Sequence, residues 1–138
     1  MNTKEAEAFK NRLRNYTFHL ESIEALKEEI NVMWYDLAGV KGKGFETIVP
    51  NTNQLIKELK RLDVGDKIET LEEQIKSHRE ELNKLDTMLN QINESDRELV
   101  KKKYIHNYTY HELSKKSYMA VNAIVYRIDK ALEMVVYI

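Results

Sequence analysis

The sequence predicts an all-α protein: a long helical hairpin or coiled coil followed by a C-terminal three-helix helix-turn-helix module. Three observations carry this. The 138 residues hold one proline and four glycines, too few breakers for a sheet-rich chain and compatible with long helices. Apolar residues recur at steps of three and four over residues 4–37, and as heptads over residues 68–92. The last 44 residues carry two Ser/Thr-x-x-Glu boxes, each ahead of a short apolar-faced stretch, and then one longer helical pattern. The implied organisation is a body over residues 1–94, for oligomerisation or partner binding, and a module over residues 95–138.

In the first segment Phe9, Leu13, Tyr16, Leu20, Ile23, Ile30, Trp34 and Leu37 lie on one stripe, with Lys27 in the one missing place. A single helix of roughly 50 Å is expected at 1.5 Å per residue. Leu26 and Met33 widen the stripe towards its end. Gly39, Gly42 and Gly44 are expected to stop this helix, and Pro50 to close the irregular stretch. A short helix capped by Asn51 or Thr52 would then bury Leu55, Ile56, Leu59 and Leu62. Gly65 would interrupt it, and Asp66, with Glu69 three residues on, would cap the next.

From there the register is strict: Ile68, Leu71, Ile75, His78, Leu82, Leu85, Leu89, Ile92. His78 is the one polar member, expected to be partly buried, with register setting or pH sensing as the sharper role. Facing stripes and a linker suggest an antiparallel pair; a parallel dimer on the second helix is equally compatible with the pattern.

The heptad stops at Asn93-Glu94-Ser95. Ser95-Asp96-Arg97-Glu98 reads as a capping box for a helix facing inward through Leu99, Val100 and Tyr104. His106-Asn107-Tyr108 is a turn. Thr109-Tyr110-His111-Glu112 is a second box, opening a helix through Leu113. Ser117-Tyr118 is a short connection, and the last helix covers residues 120–136 with Ile124, Ile128, Ala131, Leu132 and Val135 on one face.

Composition bounds the chemistry. There is no cysteine, so neither a disulfide framework nor a thiolate site exists, and a reducing cytoplasm fits. The charged N-terminus lacks the apolar region of a signal peptide, and no apolar run approaches a membrane span. Formal net charge is −1, but residues 95–138 hold eight Lys/Arg against five Asp/Glu while the remainder is net acidic. A basic end on an acidic body suits a nucleic-acid-reading end on a protein-facing body.

The run 98–135 resembles region four of bacterial sigma factors and of the phage regulators that carry that module. The residues that match are Tyr104, Thr109, Glu112 and Leu113, then Ile124, Arg127, Ile128, Lys130, Ala131 and Val135. The layout of the rest, with Tyr35-Asp36-Leu37-Ala38-Gly39-Val40-Lys41, is similar to phage late-gene regulators of the ArpU and RinA type. The chain departs from the family at Tyr118, where a turn glycine is usual, and at Ala120-Val121-Asn122-Ala123, where relatives carry Arg or Lys.

The resemblance implies a sequence-specific, cytoplasmic transcriptional regulator of phage or prophage origin. Double-stranded DNA is the expected partner, host RNA polymerase a second, and a homo-oligomer the working form. Its last helix would enter the major groove, with Asn122 suited to adenine, and Ala120 or Val121 to a thymine methyl group. Val125 and Tyr126 are the apolar residues on its outward side. Arg127 and Lys130 are carried by the resemblance as phosphate contacts, and Thr109 as the cap of the preceding helix. Lys102 and Lys103, beside Lys101, are backbone-contact candidates. The alternatives are a packaging protein of the terminase small-subunit type and a polymerase-binding module that does not touch DNA.

No enzyme is expected: the acidic residues sit on helix faces beside basic neighbours, without a nucleophile and its base. No cofactor is expected either. Gly39-Val40-Lys41-Gly42-Lys43-Gly44 lacks the strand and the Gly-Lys-Ser/Thr ending of a phosphate loop, and His106 and His111 have no third metal ligand.

Overall fold

In a computed structural model the chain is all-helical, with no strand among the described residues, which are 3–42 and 50–138. Side chains are described for residues 3–36 and 61–138. The helices are α1 (Lys4–Arg14), α2 (Tyr16–Gly42), α3 (Pro50–Leu89), α4 (Glu94–Tyr104), α5 (Tyr110–Ser117) and α6 (Val121–Glu133). None is long and apolar enough to cross a membrane.

The chain divides into two compact units, one of Met1–Leu20 with Glu80–Ile138, the other of Glu21–Arg79. Residues 95–138 thus share a unit with the chain's first twenty residues and with the end of α3.

The first segment is two helices, not one. Thr3 caps α1, its hydroxyl accepting from the Ala6 N–H at 3.0 Å. At Asn15 the backbone leaves helical geometry (φ −90°, ψ 2°), its N–H turning to the Arg12 carbonyl while its own carbonyl accepts from His19. Asparagine competes well for such positions because its side chain offers the backbone alternatives to the helix. The break lets Phe9 and Leu13 enter the core of the first unit, fully buried, while Leu20, expected on the same stripe, is exposed.

That core gathers Phe9 and Leu13 of α1, Leu85, Met88 and Leu89 of α3, Ile92, Val100 and Tyr104, Leu113, and Ile124, Ile128 and Leu132 of α6. Side chains of this size each contribute about 1.5–3 kcal/mol when fully buried. α1 packs on α4, α4 on α5, and α6 on both α4 and α5. Arg12 joins α1 to α3 by a two-pronged ion pair with Glu81, at 2.7 and 2.8 Å, and the Tyr16 hydroxyl donates to Asp86 at 2.7 Å.

Capping differs from expectation at one helix and agrees at another. Asn93, rather than Ser95, caps α4: its Oδ1 accepts from the Asp96 N–H at 3.0 Å, and its amide donates to Asp96 Oδ2 at 2.8 Å. Ser95 already lies inside the helix. Arg97 instead reaches back to the carbonyls of Leu89 (3.1 Å) and Ile92 (2.9 Å), fastening α4 to the chain that leaves α3. The Thr109–Glu112 box is present in both halves.

The last helix ends at Glu133, three residues before the expected 136. The tail finds better partners than a further helical turn. Gln91 clamps Val136 through two 2.9 Å bonds, donating to its carbonyl and accepting from its N–H. Tyr137 donates to the Leu132 carbonyl at 2.7 Å and meets Phe9 edge-on at 5.4 Å. Arg12 donates to the Ile138 carbonyl at 2.8 Å.

In the second unit, α2 passes Gly39 and reaches Gly42, within the glycine run expected to stop it. α3 starts with Pro50 at the first helical position, where its missing N–H costs nothing. It runs without interruption through Gly65, so Asp66 caps no new helix. Ile23, Ile68 and Ile75 are buried, and Leu71 and His78 are half-buried. Leu62 and Trp34, both expected inside, are 67% and 56% exposed. The burial expected of Leu37, Leu55, Ile56 and Leu59, and the surroundings of Gly44, lie outside the described residues.

Candidate nucleic-acid interface

The first unit places α6 with one side inward and the other open. Ile124, Ile128, Ala131 and Leu132 are buried against α4 and α5. Ala120, Asn122, Tyr126 and Lys130 are exposed, and Val121 and Val125 are half-buried at the flanks. Asn122, Tyr126 and Lys130 are spaced by four, so they form one outward row on the helix. Lys130 is held loosely, 5.7 Å from the Tyr126 ring centre and 3.7 Å from Glu133.

The connection before α6 is Tyr118-Met119-Ala120. Tyr118 adopts left-handed geometry (φ 55°, ψ 37°) with its side chain 96% exposed. The Ser114 hydroxyl holds this turn by donating to the Met119 carbonyl at 2.6 Å, while Ser117 donates to the Leu113 carbonyl within α5. Ala120 provides extended backbone at the start of α6 but no side-chain cap, so the first N–H groups of α6 receive no side-chain cap from it.

Arg127 faces Asp96 of α4, its Nε and a terminal nitrogen 2.7 and 2.6 Å from one carboxylate oxygen. A second contact runs to the Met119 sulfur at 3.5 Å. Its side chain is 36% exposed. Arg127 therefore braces α6 against α4 and the turn, a role the sequence pattern does not reveal. Asp96 is 31 positions away and carries no local mark of its partner.

Thr109 caps α5. Its hydroxyl accepts from the Glu112 N–H at 3.0 Å, and its own N–H donates to the Glu112 carboxylate at 3.2 Å. These bonds hold the Glu112 carboxyl below the usual carboxylate range, with Lys116 and Lys103 adding to the effect. Lys103, on α4, and Lys116, in the last turn of α5, thus both act on this carboxylate. Lys102 is half-buried, and its carbonyl accepts from the Tyr108 N–H at 2.9 Å.

The tyrosines that crowd this end of the sequence are structural supports for cations. Lys103 stands over the Tyr110 ring at 4.1 Å and Lys116 over Tyr108 at 4.6 Å, while Arg14 and Lys10 face Tyr104 at 5.4 and 5.7 Å. Tyr110 is pushed up to about 12 by burial and by its hydrogen bond to Tyr104. No sequence motif marks Lys116, Tyr108 or Tyr110 as a cation seat; the one signal is the density of tyrosine and lysine between residues 101 and 118.

Among the described residues no three His, Asp or Glu side chains gather to hold a metal ion. Compared with protein-family models, with curated proteins and with solved structures, the chain matches none.

Proposed function

We propose that this chain is a sequence-specific DNA-binding transcriptional regulator of sigma region-four-like type, phage or prophage encoded and acting in the cytoplasm. In this reading α5, the Tyr118 turn and α6 are a helix-turn-helix, and the remainder of α2 and α3 is a helical hairpin that assembles subunits or meets RNA polymerase. The observation that carries it is the open side of α6. A helix with its apolar side buried leaves Asn122, Tyr126 and Lys130 in an outward row, directly after a short turn, where a groove-reading helix presents its side chains.

A module this small buries too little surface for tight binding alone, so a dimer with half-sites ~34 Å apart, or a polymerase-bound complex, is the expected working form. Exposed Val32, Trp34, Tyr35 and Leu62 in the second unit support subunit assembly. They equally favour a second reading, a packaging protein of the terminase small-subunit type, which would assemble into a ring of many subunits.

Selection of bound fragments from a random duplex library, at two salt concentrations, tests both. An enriched motif supports the regulator, and its symmetry reports the oligomer. Binding without a motif, with a ring-sized mass by light scattering, selects packaging. Within an enriched motif, Asn122→Ala relaxes preference at one base position; unchanged preference removes Asn122 from base reading.

A further inference from the structure

We propose that Lys103 and Lys116, each seated on a tyrosine ring, form a preorganised two-point clamp for the phosphodiester backbone of duplex DNA. This rests on the DNA-binding reading and assigns it a specific anchoring site.

Lys10, Lys27, Lys67 and Lys130 each rest on a carboxylate of their own helix, at 3.1–3.7 Å, with a tyrosine ring farther off, at 5.7 Å, for Lys10 and Lys130. Lys103 and Lys116 sit closer to their rings, at 4.1 and 4.6 Å. An ammonium over a ring face is attracted by the ring quadrupole without a full counter-charge from the ring itself. Its N–H donors remain available on the side away from the ring. Lys116 spends one of three donors on the Tyr108 hydroxyl at 3.2 Å, leaving two.

The supports themselves are fixed. Tyr108 and Tyr110 both pack against the core of the first unit. A free lysine loses rotamer entropy when it is immobilised on a ligand. Seating the ammonium beforehand removes part of that loss, which is how preorganisation raises affinity.

The two lysines approach the same turn from different helices, α4 and α5, and both act on the Glu112 carboxylate. Glu112 is already committed to the Thr109 N–H. Lys101 and Lys102 on α4 and Lys115 on α5 add charge of the same sign nearby in the chain. A repeating polyanion complements this surface. Contact here would set the module's register on the duplex without reading bases.

The test measures affinity of the full chain for a selected duplex and for an unrelated duplex across a salt series. Lys103→Gln and Lys116→Gln are each expected to weaken binding to both duplexes by the same factor, roughly 3- to 10-fold at low salt. Each should also lower the slope of log K against log salt by about 0.9, one phosphate apiece. Lys67→Gln, which removes an equal charge from the exposed Asp63–Lys67 pair on α3, leaves the slope unchanged. Tyr108→Leu keeps the net charge and weakens binding two- to threefold by loosening Lys116. Should it fail to fold by circular dichroism, the two lysine variants still decide. Wild-type slopes in both lysine variants, or an equal drop in Lys67→Gln, overturn the clamp while leaving DNA binding in place. No salt-sensitive binding by the wild-type chain to any duplex overturns the clamp together with the reading beneath it.

Discussion

Tyr118 holds a left-handed backbone with nearly its whole side chain in solvent. For a residue with a Cβ that conformation costs roughly 1–2 kcal/mol, and only glycine adopts it freely. The side chain returns little packing, so the cost is offset elsewhere, in part by the Ser114 bond that fixes the turn. Tyr118→Gly is therefore expected to raise stability by about 0.5–1 kcal/mol, after allowing for the greater freedom of glycine in the unfolded chain. A denaturant titration with an unchanged or lowered midpoint would show that the tyrosine is compatible with this turn. The Arg127–Asp96 contact is the second informative residue pair. It is partly exposed, so its worth is discounted for solvent screening to about 0.5–1 kcal/mol. A double-mutant cycle with Asp96→Ala and Arg127→Ala reads that coupling directly. If the coupling is absent, Arg127 is free to serve DNA without first giving up a structural partner. Nothing local in the sequence marks this pair, because a spacing of 31 has no periodic signature.

At the scale of elements, what was legible is what short-range chemistry decides. The Thr109–Glu112 box and the inward face of α6 follow from short spacings and are present, and the heptad lies on α3 as far as Leu89, with Ile92 buried just beyond the helix end. The heptad reading did miss Met88, fully buried beside Leu85 and Leu89, because a strict register admits only two positions in seven. The structure departs from the sequence pattern where the propensity of a single residue yields to its surroundings. Gly65 reads as a breaker, but a long helix tolerates one glycine at a cost of about 1 kcal/mol relative to alanine. Asn15 reads as an ordinary helical residue, yet tertiary burial of Phe9 and Leu13 favours a break there. Gly65 makes the point testable. An added Cβ would meet nothing within 4 Å, so Gly65→Ala is expected to stabilise by about 0.5–1 kcal/mol. A thermal melt showing loss instead would mean that α3 bends or pairs closely at that position.

For the whole molecule, the contacts least visible in sequence are those that fasten the chain's beginning to its later part. Arg12 reaches Glu81 and the Ile138 carbonyl, across 69 and 126 positions, and Tyr16 reaches Asp86 across 70. Loop closure over such distances leaves no periodic trace, so the first unit was legible only in its C-terminal part. These contacts also set how stability depends on pH. The Arg12 guanidinium, chiefly by its hydrogen bonds, holds the Glu81 carboxyl below its ordinary range. A depressed carboxyl contributes fully above the unfolded value and loses its contribution as pH falls through the folded one. Stability should therefore decline below about pH 4, and Arg12→Ala should flatten that decline. At the other end, burial and then the bond to Asp86 push Tyr16 up to about 12, from an ordinary value of 10.0; Tyr110 behaves alike through burial and Tyr104. A raised phenol favours the fold fully below pH 10, and that stabilisation drains away as pH climbs towards 12, because the unfolded chain ionises first. Melting temperatures recorded from pH 9 to 12 should fall across that window, and Tyr16→Phe should lower the neutral-pH value while making the alkaline fall shallower. Melting temperatures that stay level from pH 10 to 12 would mean that these phenols ionise without disturbing the fold, and that Tyr16 and Asp86 are neighbours rather than partners.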